Sequence, residues 1–139
     1  MKIYLCSRVG KDARPLNDVV AKSLTESGFT VYVPHEQKPN NPTDGRYDKE
    51  QIWDLDFAAM QRSEICVVVG RIGKDCSFEI GWFYNDKRPI FFVPAGDTTY
   101  LDSPMLIPAL TSNKHVENPS AAGPEVLRTM LKTGKLGIK

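Results

Sequence analysis

Short apolar runs alternate with amphipathic segments along most of the chain. Four runs fit buried strands, at residues 2–7, 29–33, 64–70 and 89–93, because continuous apolar stretches of this length are typical of parallel strands covered on both faces. A fifth, short edge strand is predicted at residues 114–116. Strands that are separated by helical segments predict a parallel sheet with right-handed crossovers.

Helical periodicity fills the segments between these strands. Residues 15–27 place apolar side chains at helical spacing, begin with Pro15 and are followed by Gly28, which fits a helix C-terminus. Further helices are predicted at residues 47–62, from about 75 to 85, and at 124–132, before a frayed tail at 133–139. Together the elements predict one α/β domain over residues 1–139. Its sheet would be open, mostly parallel and doubly wound, of the flavodoxin or Rossmann-like type, with flanking helices.

Two long irregular segments interrupt this alternation. Residues 35–46 are rich in Pro, Asn and Asp and predict a loop long enough to act as a mobile lid. Residues 94–112 predict a second loop, with one helical turn at 105–110. Because the carboxyl ends of parallel strands share one edge of a sheet, the loops after the first, third and fourth strands are expected to converge there.

The composition is that of an ordinary soluble globular protein. Of its 139 residues, 41% are hydrophobic and 25% are charged, and the formal net charge is +1, so no strong field would steer nucleic acid or a membrane towards it. No apolar run is long enough to span a bilayer, and the start of the chain does not fit a signal peptide. There are three cysteines and no CxxC pair, and Cys6 and Cys66 lie in apolar strand patterns, which favours buried thiols over disulfides and fits a reducing compartment. We therefore expect a cytoplasmic protein.

Several common catalytic motifs are absent from the sequence. There is no GxGxxG after the first strand, no P-loop and no GxSxG. His35 and His115 are far apart and lack metal-ligand neighbours, which favours structural or surface roles. The sequence therefore predicts no metal and no organic cofactor. Its aromatic residues do not alternate with basic ones, as they do on surfaces that stack nucleic-acid bases.

The turn after the third strand leads to the most informative acidic residue, Glu79, near the start of the third helix. An acidic side chain at the carboxyl edge of a parallel sheet lies where such sheets bind ligands. A half-buried carboxylate in that place can act as a nucleophile or as a general acid. The alternative is a first-turn residue that the helix dipole favours, and the position of Glu79 alone does not decide between the two.

Three segments carry a further pattern in a fixed order. They are Lys2-Ile3-Tyr4-Leu5-Cys6-Ser7, the helix and strand at residues 52–69 that contain Asp56, and Asp75-Cys76-Ser77-Phe78-Glu79-Ile80-Gly81. In this order and at these separations they resemble the nucleoside 2-deoxyribosyltransferase family, from residue 2 to about residue 116. The resemblance implies cleavage of the N-glycosidic bond of 2′-deoxyribonucleosides and transfer of the sugar between bases.

The resemblance also implies a role for each matching residue. Glu79 would be the nucleophile that forms a covalent deoxyribosyl ester, Asp56 would hold and protonate the departing base, and Tyr4 would orient Glu79. Asp75 and Ser77 lie in the turn before Glu79, which is shorter than the family's, and would contact the substrate. The residues alone leave alternatives open: a solvated helix carboxylate for Asp56, a helix cap for Asp75 and a core residue for Tyr4.

A related branch of that family hydrolyses nucleoside 5′-monophosphates, and this chain resembles it at two further places. Its first loop, with Ser7, Arg8 and Gly10, is small, polar and glycine-containing, and Ser103 and Met105 match an S-x-M turn that a neighbouring subunit presents. Amides near Gly10 and the two serine hydroxyls would bind the phosphate. Both branches complete this region from a partner chain, so the resemblance implies a homodimer or larger homo-oligomer with shared active sites.

Four functions remain to be compared. Base exchange on 2′-deoxyribonucleosides through a covalent intermediate on Glu79 ranks first. Hydrolysis of 2′-deoxynucleoside 5′-monophosphates to free base follows closely. An NAD-cleaving domain of the TIR type also sets a glutamate near the edge of an α/β sheet, and a nucleotide-binding module without turnover is the non-enzymatic alternative. All four imply a nucleoside or nucleotide as the ligand, rather than nucleic acid or a membrane.

Overall fold

The computed structural model describes residues 1–37, 48–93 and 116–117. These residues form a sheet with three α-helices packed on its two faces. The strands are β1 (Lys2–Ser7), β2 (Thr30–Tyr32), β3 (Ile65–Val69), β4 (Ile90–Val93) and β5 (Val116–Glu117), and the helices are α1 (Arg14–Glu26), α2 (Lys49–Arg62) and α3 (Lys74–Asn85). A short 3-10 helix, Pro34–Glu36, follows β2.

The five strands are parallel and lie in the order β2-β1-β3-β4-β5. The chain first steps from β1 to β2 on one side and then crosses to β3, β4 and β5 on the other, so the order reverses between β1 and β3. In open α/β sheets the crevice at such a reversal, beyond the carboxyl ends of the strands, is where ligands bind. The fold class predicted from the sequence is confirmed, and the ligand crevice is expected beside the ends of β1 and β3.

The alternating side chains of β1 divide the core between the two faces of the sheet. Ile3 and Leu5 pack in a buried cluster with the apolar residues of α1. Tyr4 and Cys6 belong to a second buried cluster, which contains apolar residues of α2 and α3. Because successive strand residues point to opposite faces, Tyr4 and Cys6 lie against the two helices that carry the candidate acidic residues.

The predicted helices and strands within the described residues are confirmed to within two residues at each end. Gly28 follows α1 with φ of 92°, in the left-handed region that favours glycine. α2 begins at Lys49 because Asp48 caps it, with a side-chain oxygen that accepts from the Gln51 amide at 3.0 Å. Among the helices that the structure describes, none is both long enough and apolar enough to cross a membrane.

The structure differs from the sequence prediction directly after β2. The sequence predicts a loop from residue 35, but residues 35 and 36 belong to the 3-10 helix, whose first residue, Pro34, pre-sets the backbone angle for a helical turn. Other predictions lie outside the described residues: the rest of that loop, the helical turn at 105–110, the closing helix at 124–132 and the tail at 133–139. The extent of the single domain therefore stays a prediction.

Candidate active site

A pocket of about 700 Å³ opens where the carboxyl end of β1 meets α2 and the start of α3. Its volume lies within the range of about 300–1,000 Å³ that is typical of small-molecule sites. The predicted site residues that line it are Ser7, Arg8, Gly10, Asp56, Asp75 and Glu79. The loops after β1 and β3 thus converge as expected, whereas the loop after β4 lies outside the described residues.

Glu79 lies in the second turn of α3 with only 8% of its surface exposed. Its Oε1 accepts a hydrogen bond of 2.7 Å from the Tyr4 hydroxyl, whereas its Oε2 is buried and has no hydrogen-bond partner among the described residues. Burial raises the pKa of Glu79 to about 8, and the Cys6 thiol and then the Tyr4 hydroxyl, which both favour the ionised form, oppose that rise. Glu79 is therefore not a solvated first-turn residue but a buried carboxylate with one unpaired oxygen.

Asp56, on α2, forms a second pair between a carboxylate and a tyrosine. Its Oδ1 accepts a hydrogen bond of 2.7 Å from the Tyr32 hydroxyl. Burial raises the pKa of Asp56, the bond from Tyr32 opposes the rise, and the negative charge of Asp75 adds to it. Asp54 is exposed and does not line the pocket, because residues two apart on a helix face different directions. The structure therefore places Asp56, and not Asp54, at the pocket.

Tyr4 and Tyr32 hold the two carboxylates side by side. They are register partners on β1 and β2, and their rings stack with centroids 5.6 Å apart and an interplanar angle of 14°. Burial first, and then the neighbouring carboxylates, raise the pKa of both phenols, so both stay protonated and act as donors at neutral pH. Sequence reasoning missed Tyr32, because it carries no local motif and its register with Tyr4 cannot be read from either strand alone.

The start of α3 forms one wall of the pocket. Its N-cap is Gly73, without any side-chain cap, so the alternative that Asp75 caps the helix is removed. Asp75 instead lines the pocket. The Ser77 hydroxyl donates to the Gly73 carbonyl oxygen at 2.9 Å and is not part of the lining. Contact between Ser77 and the substrate therefore stays a prediction. Lys49 and Lys74 also line the pocket, and no motif in the sequence pointed to them.

The loop after β1 places the residues predicted to bind phosphate at the pocket. Ser7, Arg8 and Gly10 all belong to its lining. The Ser7 hydroxyl oxygen is buried and has no hydrogen-bond partner among the described residues. Arg8 forms an ion pair of 3.6 Å with a well-exposed aspartate four residues later, a contact that water weakens. Outside the described residues lie Ser103, Met105 and His115.

Aromatic side chains form the outer wall beside Asp56. Trp53, Phe57 and Phe78 line the pocket, and the Trp53 ring lies 4.7 Å from Phe57 and 5.8 Å from Phe78 between centroids. Trp53 and Phe78 are about half exposed, at 52% and 51%. Sequence reasoning missed this wall, although a signal existed: Trp53, Asp56 and Phe57 follow the i, i+3, i+4 spacing that puts residues on one helix face.

The cysteine thiols and the His35 imidazole lie in two separate places. Cys6, Cys66 and Cys76 are free and buried, as predicted for the first two. His35 is paired with an exposed aspartate at 3.0 Å and does not line the pocket. Within the described part of the chain, two groups of side chains could hold a metal ion: one contains Cys6, Cys76 and Glu79, and the other surrounds His35.

Comparison with solved structures identifies proteins of the same fold. A 2-deoxyribosyltransferase from Bacillus psychrosaccharolyticus matches with a TM-score of 0.68 over 92% of this chain and 90% of that chain, at 16% sequence identity. A CMP N-glycosidase from Clostridium botulinum matches with a TM-score of 0.65 over 96% and 99%, at 14% identity. A conserved protein from Enterococcus faecalis V583 matches with a TM-score of 0.67 over 96% and 98%, at 17% identity.

These likenesses show the fold, and they include an enzyme of each branch that the sequence pattern resembles. No protein-family model matches the chain, and no curated protein matches it. The fold and the pocket geometry are therefore the basis for any statement about what the protein does.

Proposed function

We propose that this protein cleaves the N-glycosidic bond of 2′-deoxyribonucleosides through a covalent intermediate on Glu79 and transfers the deoxyribosyl group to a second base. The observation that carries this proposal is the state of Glu79: it is buried beside the pocket, Tyr4 holds its Oε1, and its Oε2 is unpaired among the described residues. The fold shared with a 2-deoxyribosyltransferase and a CMP N-glycosidase supports it.

The proposed reaction is a displacement at the anomeric carbon of the sugar. Glu79 Oε2 provides the electron pair of the new carbon–oxygen bond, while the base leaves with the electrons of the broken carbon–nitrogen bond. A carboxylate suits the oxocarbenium-like transition state of such a reaction, as in retaining glycosidases. A second base then attacks the same carbon and passes its N–H proton to Asp56, and Glu79 leaves as the carboxylate with which the cycle began.

Tyr4 fixes the position and the ionisation of the nucleophile. Its hydrogen bond to Oε1 holds the carboxylate in one orientation and favours the ionised form. Burial acts in the opposite direction and raises the pKa of Glu79 to about 8. Since only the ionised carboxylate is a nucleophile, the reactive fraction of the free protein grows as the pH rises towards 8.

Asp56 is placed to assist the departing base. Burial raises its pKa, which increases the fraction of protonated acid that can donate to the base. Tyr32 donates a hydrogen bond to Oδ1 of Asp56 and so holds the carboxyl group in one orientation, with Oδ2 as the proposed contact for the base. Trp53 and Phe57 lie on the same helix face and offer ring surfaces against which a planar base would stack. The base would thus be held by stacking on α2 and by a hydrogen bond to Asp56.

Hydrolysis of 2′-deoxynucleoside 5′-monophosphates is the second candidate function. It is favoured by the groups that meet at the start of α3: the unpaired Ser7 hydroxyl, Arg8, Lys74 and the helix N-terminus at Gly73. Free amides at a helix start, together with cationic side chains, bind phosphate well. In that case water, rather than a second base, would resolve the ester on Glu79. A nucleotide-binding module would use the same pocket without turnover.

A chromatographic assay separates these functions. Purified protein is incubated with a 2′-deoxyribonucleoside, with and without an acceptor base, and separately with the matching 5′-monophosphate. A new nucleoside that forms only with the acceptor supports transfer, and free base released from the monophosphate alone supports the hydrolase. Nucleotide binding without any product would support the binding module, and release of nicotinamide from NAD would support the TIR-type alternative.

The role of Glu79 is tested in the same assay. Glu79→Gln preserves size and hydrogen bonding but removes the charge, so it is expected to abolish product formation from any of the substrates. The matched control is Glu26→Gln, which changes an exposed glutamate on α1 whose ion pair at 3.9 Å is weak. Full activity of Glu79→Gln would contradict the proposal.

A further inference from the structure

Two thiols converge on the Glu79 carboxylate from different elements of the fold. Cys6 lies on β1, and Cys76 lies in the first turn of α3. The two sulfur atoms and a carboxylate oxygen of Glu79 all lie within 4.8 Å of one another. Because 70 residues separate the two cysteines, no ligand spacing in the sequence reveals this group.

The atoms of this group have weak partners or none. Glu79 Oε2 is buried without a hydrogen-bond partner among the described residues, and the whole residue is only 8% exposed. The Cys6 thiol donates to the Cys76 carbonyl oxygen over a long 3.7 Å, an interaction that costs little to replace. Buried polar atoms are nearly always paired, so a carboxylate that lies beside two thiols and keeps one oxygen without a partner among the described residues marks a place where a ligand gains binding energy.

We infer that Cys6, Cys76 and Glu79 form a binding site for Zn²⁺ beside the pocket. Thiolates and carboxylates are both zinc ligands, with bonds of about 2.3 Å to sulfur and about 2.0–2.2 Å to oxygen. Tetrahedral bonds of these lengths separate the ligating atoms by roughly 3.5–3.8 Å. The two sulfur atoms and the carboxylate oxygen are at present no more than 4.8 Å apart, so small side-chain rotations would bring them to this spacing. Mg²⁺ and Ca²⁺ prefer sets of oxygen ligands alone, which excludes them here.

The pocket gives the metal a way in. Cys76 and Glu79 line it, so a hydrated ion can approach from solvent, and water from the pocket completes the tetrahedral set. Binding replaces the two thiol protons and, where Glu79 is protonated, its carboxyl proton. These protons pass to solvent, and no atom is oxidised or reduced. The ion occupies the Glu79 carboxylate, which the proposed reaction uses. Zinc and substrate therefore exclude one another, a consequence that rests on the proposed function, whereas the binding itself does not.

The test of the site is spectroscopic. The reduced, full-length protein is titrated with Cd²⁺ under a non-chelating phosphine reductant, and the ultraviolet absorption of cadmium–thiolate bonds is recorded. We expect the cadmium–thiolate absorption to saturate at one ion per chain and Zn²⁺ to displace the bound Cd²⁺. A titration of the wild-type protein that develops no cadmium–thiolate absorption would overturn it, and this result does not depend on whether any variant folds.

Three cysteine variants locate the site. Cys6→Ala and Cys76→Ala each remove a direct ligand, so each is expected to weaken Cd²⁺ binding by more than about tenfold, since even indirect partners of ligands contribute that much. The matched control is Cys66→Ala, which removes a third buried thiol that lies beside Cys6 but is not one of the three ligands, and it is expected to weaken Cd²⁺ binding far less than either ligand variant does. Equal loss in all three variants would overturn the assignment, and thermal unfolding confirms that each variant is folded.

An activity measurement separates this inference from the proposed function. In the nucleoside assay Zn²⁺ is expected to raise the apparent KM without changing kcat, and a chelator is expected to restore the original value. Cadmium binding without any nucleoside cleavage would overturn the proposed function and leave the metal site standing. Nucleoside cleavage by a protein that shows no cadmium–thiolate absorption would overturn the metal site and leave the proposed function standing.

Discussion

The Tyr4 hydroxyl donates a hydrogen bond of 2.7 Å to Glu79 Oε1, and this bond joins β1 to α3 across 75 residues of sequence. Tyr4 is fully buried, with its ring stacked on Tyr32 at 5.6 Å and tilted against Phe83 at 5.9 Å. A ring packed on both sides has little freedom to rotate. The bond therefore fixes one oxygen of Glu79 and leaves the other for chemistry.

Tyr4→Phe is expected to lower kcat about 10- to 100-fold, because a hydrogen bond to a charged group contributes about 1.5–3 kcal/mol. Loss of a bond that favours the carboxylate also raises the pKa of Glu79, so the alkaline rise in kcat/KM shifts to higher pH. The control is Tyr84→Phe, which changes an exposed tyrosine near the other end of α3. Unchanged kcat and an unchanged pH profile in Tyr4→Phe would contradict this role.

Tyr32 is expected to act through Asp56, because its hydroxyl donates a hydrogen bond of 2.7 Å to that carboxylate. Tyr32→Phe is expected to lower kcat about tenfold, the effect of one hydrogen bond of about 1.5 kcal/mol. In a background of Asp56→Asn the same change is expected to have a much smaller effect. A double-mutant cycle on kcat measures this coupling, and strictly additive effects would show that Tyr32 acts independently of Asp56.

Asp56 and Asp54 are expected to differ strongly, although they are two residues apart on one helix. Asp56→Asn removes a carboxylic acid that lines the pocket and that we propose as the general acid, so it is expected to lower kcat about 10²- to 10⁴-fold. Asp54→Asn changes an exposed carboxylate on another face of α2 and is expected to leave the kinetic constants within about twofold, as surface substitutions do. Comparable losses in the two variants would mean that the pocket has been assigned to the wrong face of the helix.

The stability of the protein is expected to depend on the ionisation of Glu79. Its pKa is 4.5 before folding and about 8 in the folded protein. Between these values the folded state keeps a proton that the unfolded state has lost, so the free energy of unfolding falls as the pH rises from about 4.5 to about 8. Below pH 4.5 both states hold the proton, and the pKa shift costs no stability.

Glu79→Gln removes this dependence because an amide does not ionise. Relative to the wild type, the variant is expected to gain on the order of 2–5 kcal/mol in unfolding free energy between about pH 4.5 and pH 9. Urea unfolding at both pH values, with a chelator present, measures the gain. The two proteins would instead show parallel pH dependence if Glu79 were ionised normally in the fold.

The sequence was sufficient for the parts of the site that lie within one element or one turn. The turn from Asp75 to Glu79 leads from a buried strand into a helix, and its place at the sheet edge follows from the order of the elements. Asp56 was separable from Asp54 by helix geometry alone. These features depend on local periodicity, which a single sequence contains.

The remaining parts depend on relationships between elements. Tyr32 reaches Asp56 only because it is in register with Tyr4 on the neighbouring strand, and register is set by packing rather than by local pattern. Cys6 and Cys76 meet only because β1 and α3 pack together. The state of Glu79 Oε2, buried and unpaired, is likewise a property of the assembled pocket. No propensity of the separate segments contains this information.

Mass spectrometry of the protein during reaction with a 2′-deoxyribonucleoside shows whether Glu79 is the nucleophile. The protein is quenched in acid within the first turnovers and digested, and the peptide that contains Glu79 is examined. We expect one deoxyribosyl group on this peptide, attached at Glu79, that disappears when an acceptor base is added and never forms in Glu79→Gln. A deoxyribosyl group on a different residue, or turnover by Glu79→Gln at the wild-type rate, would contradict it.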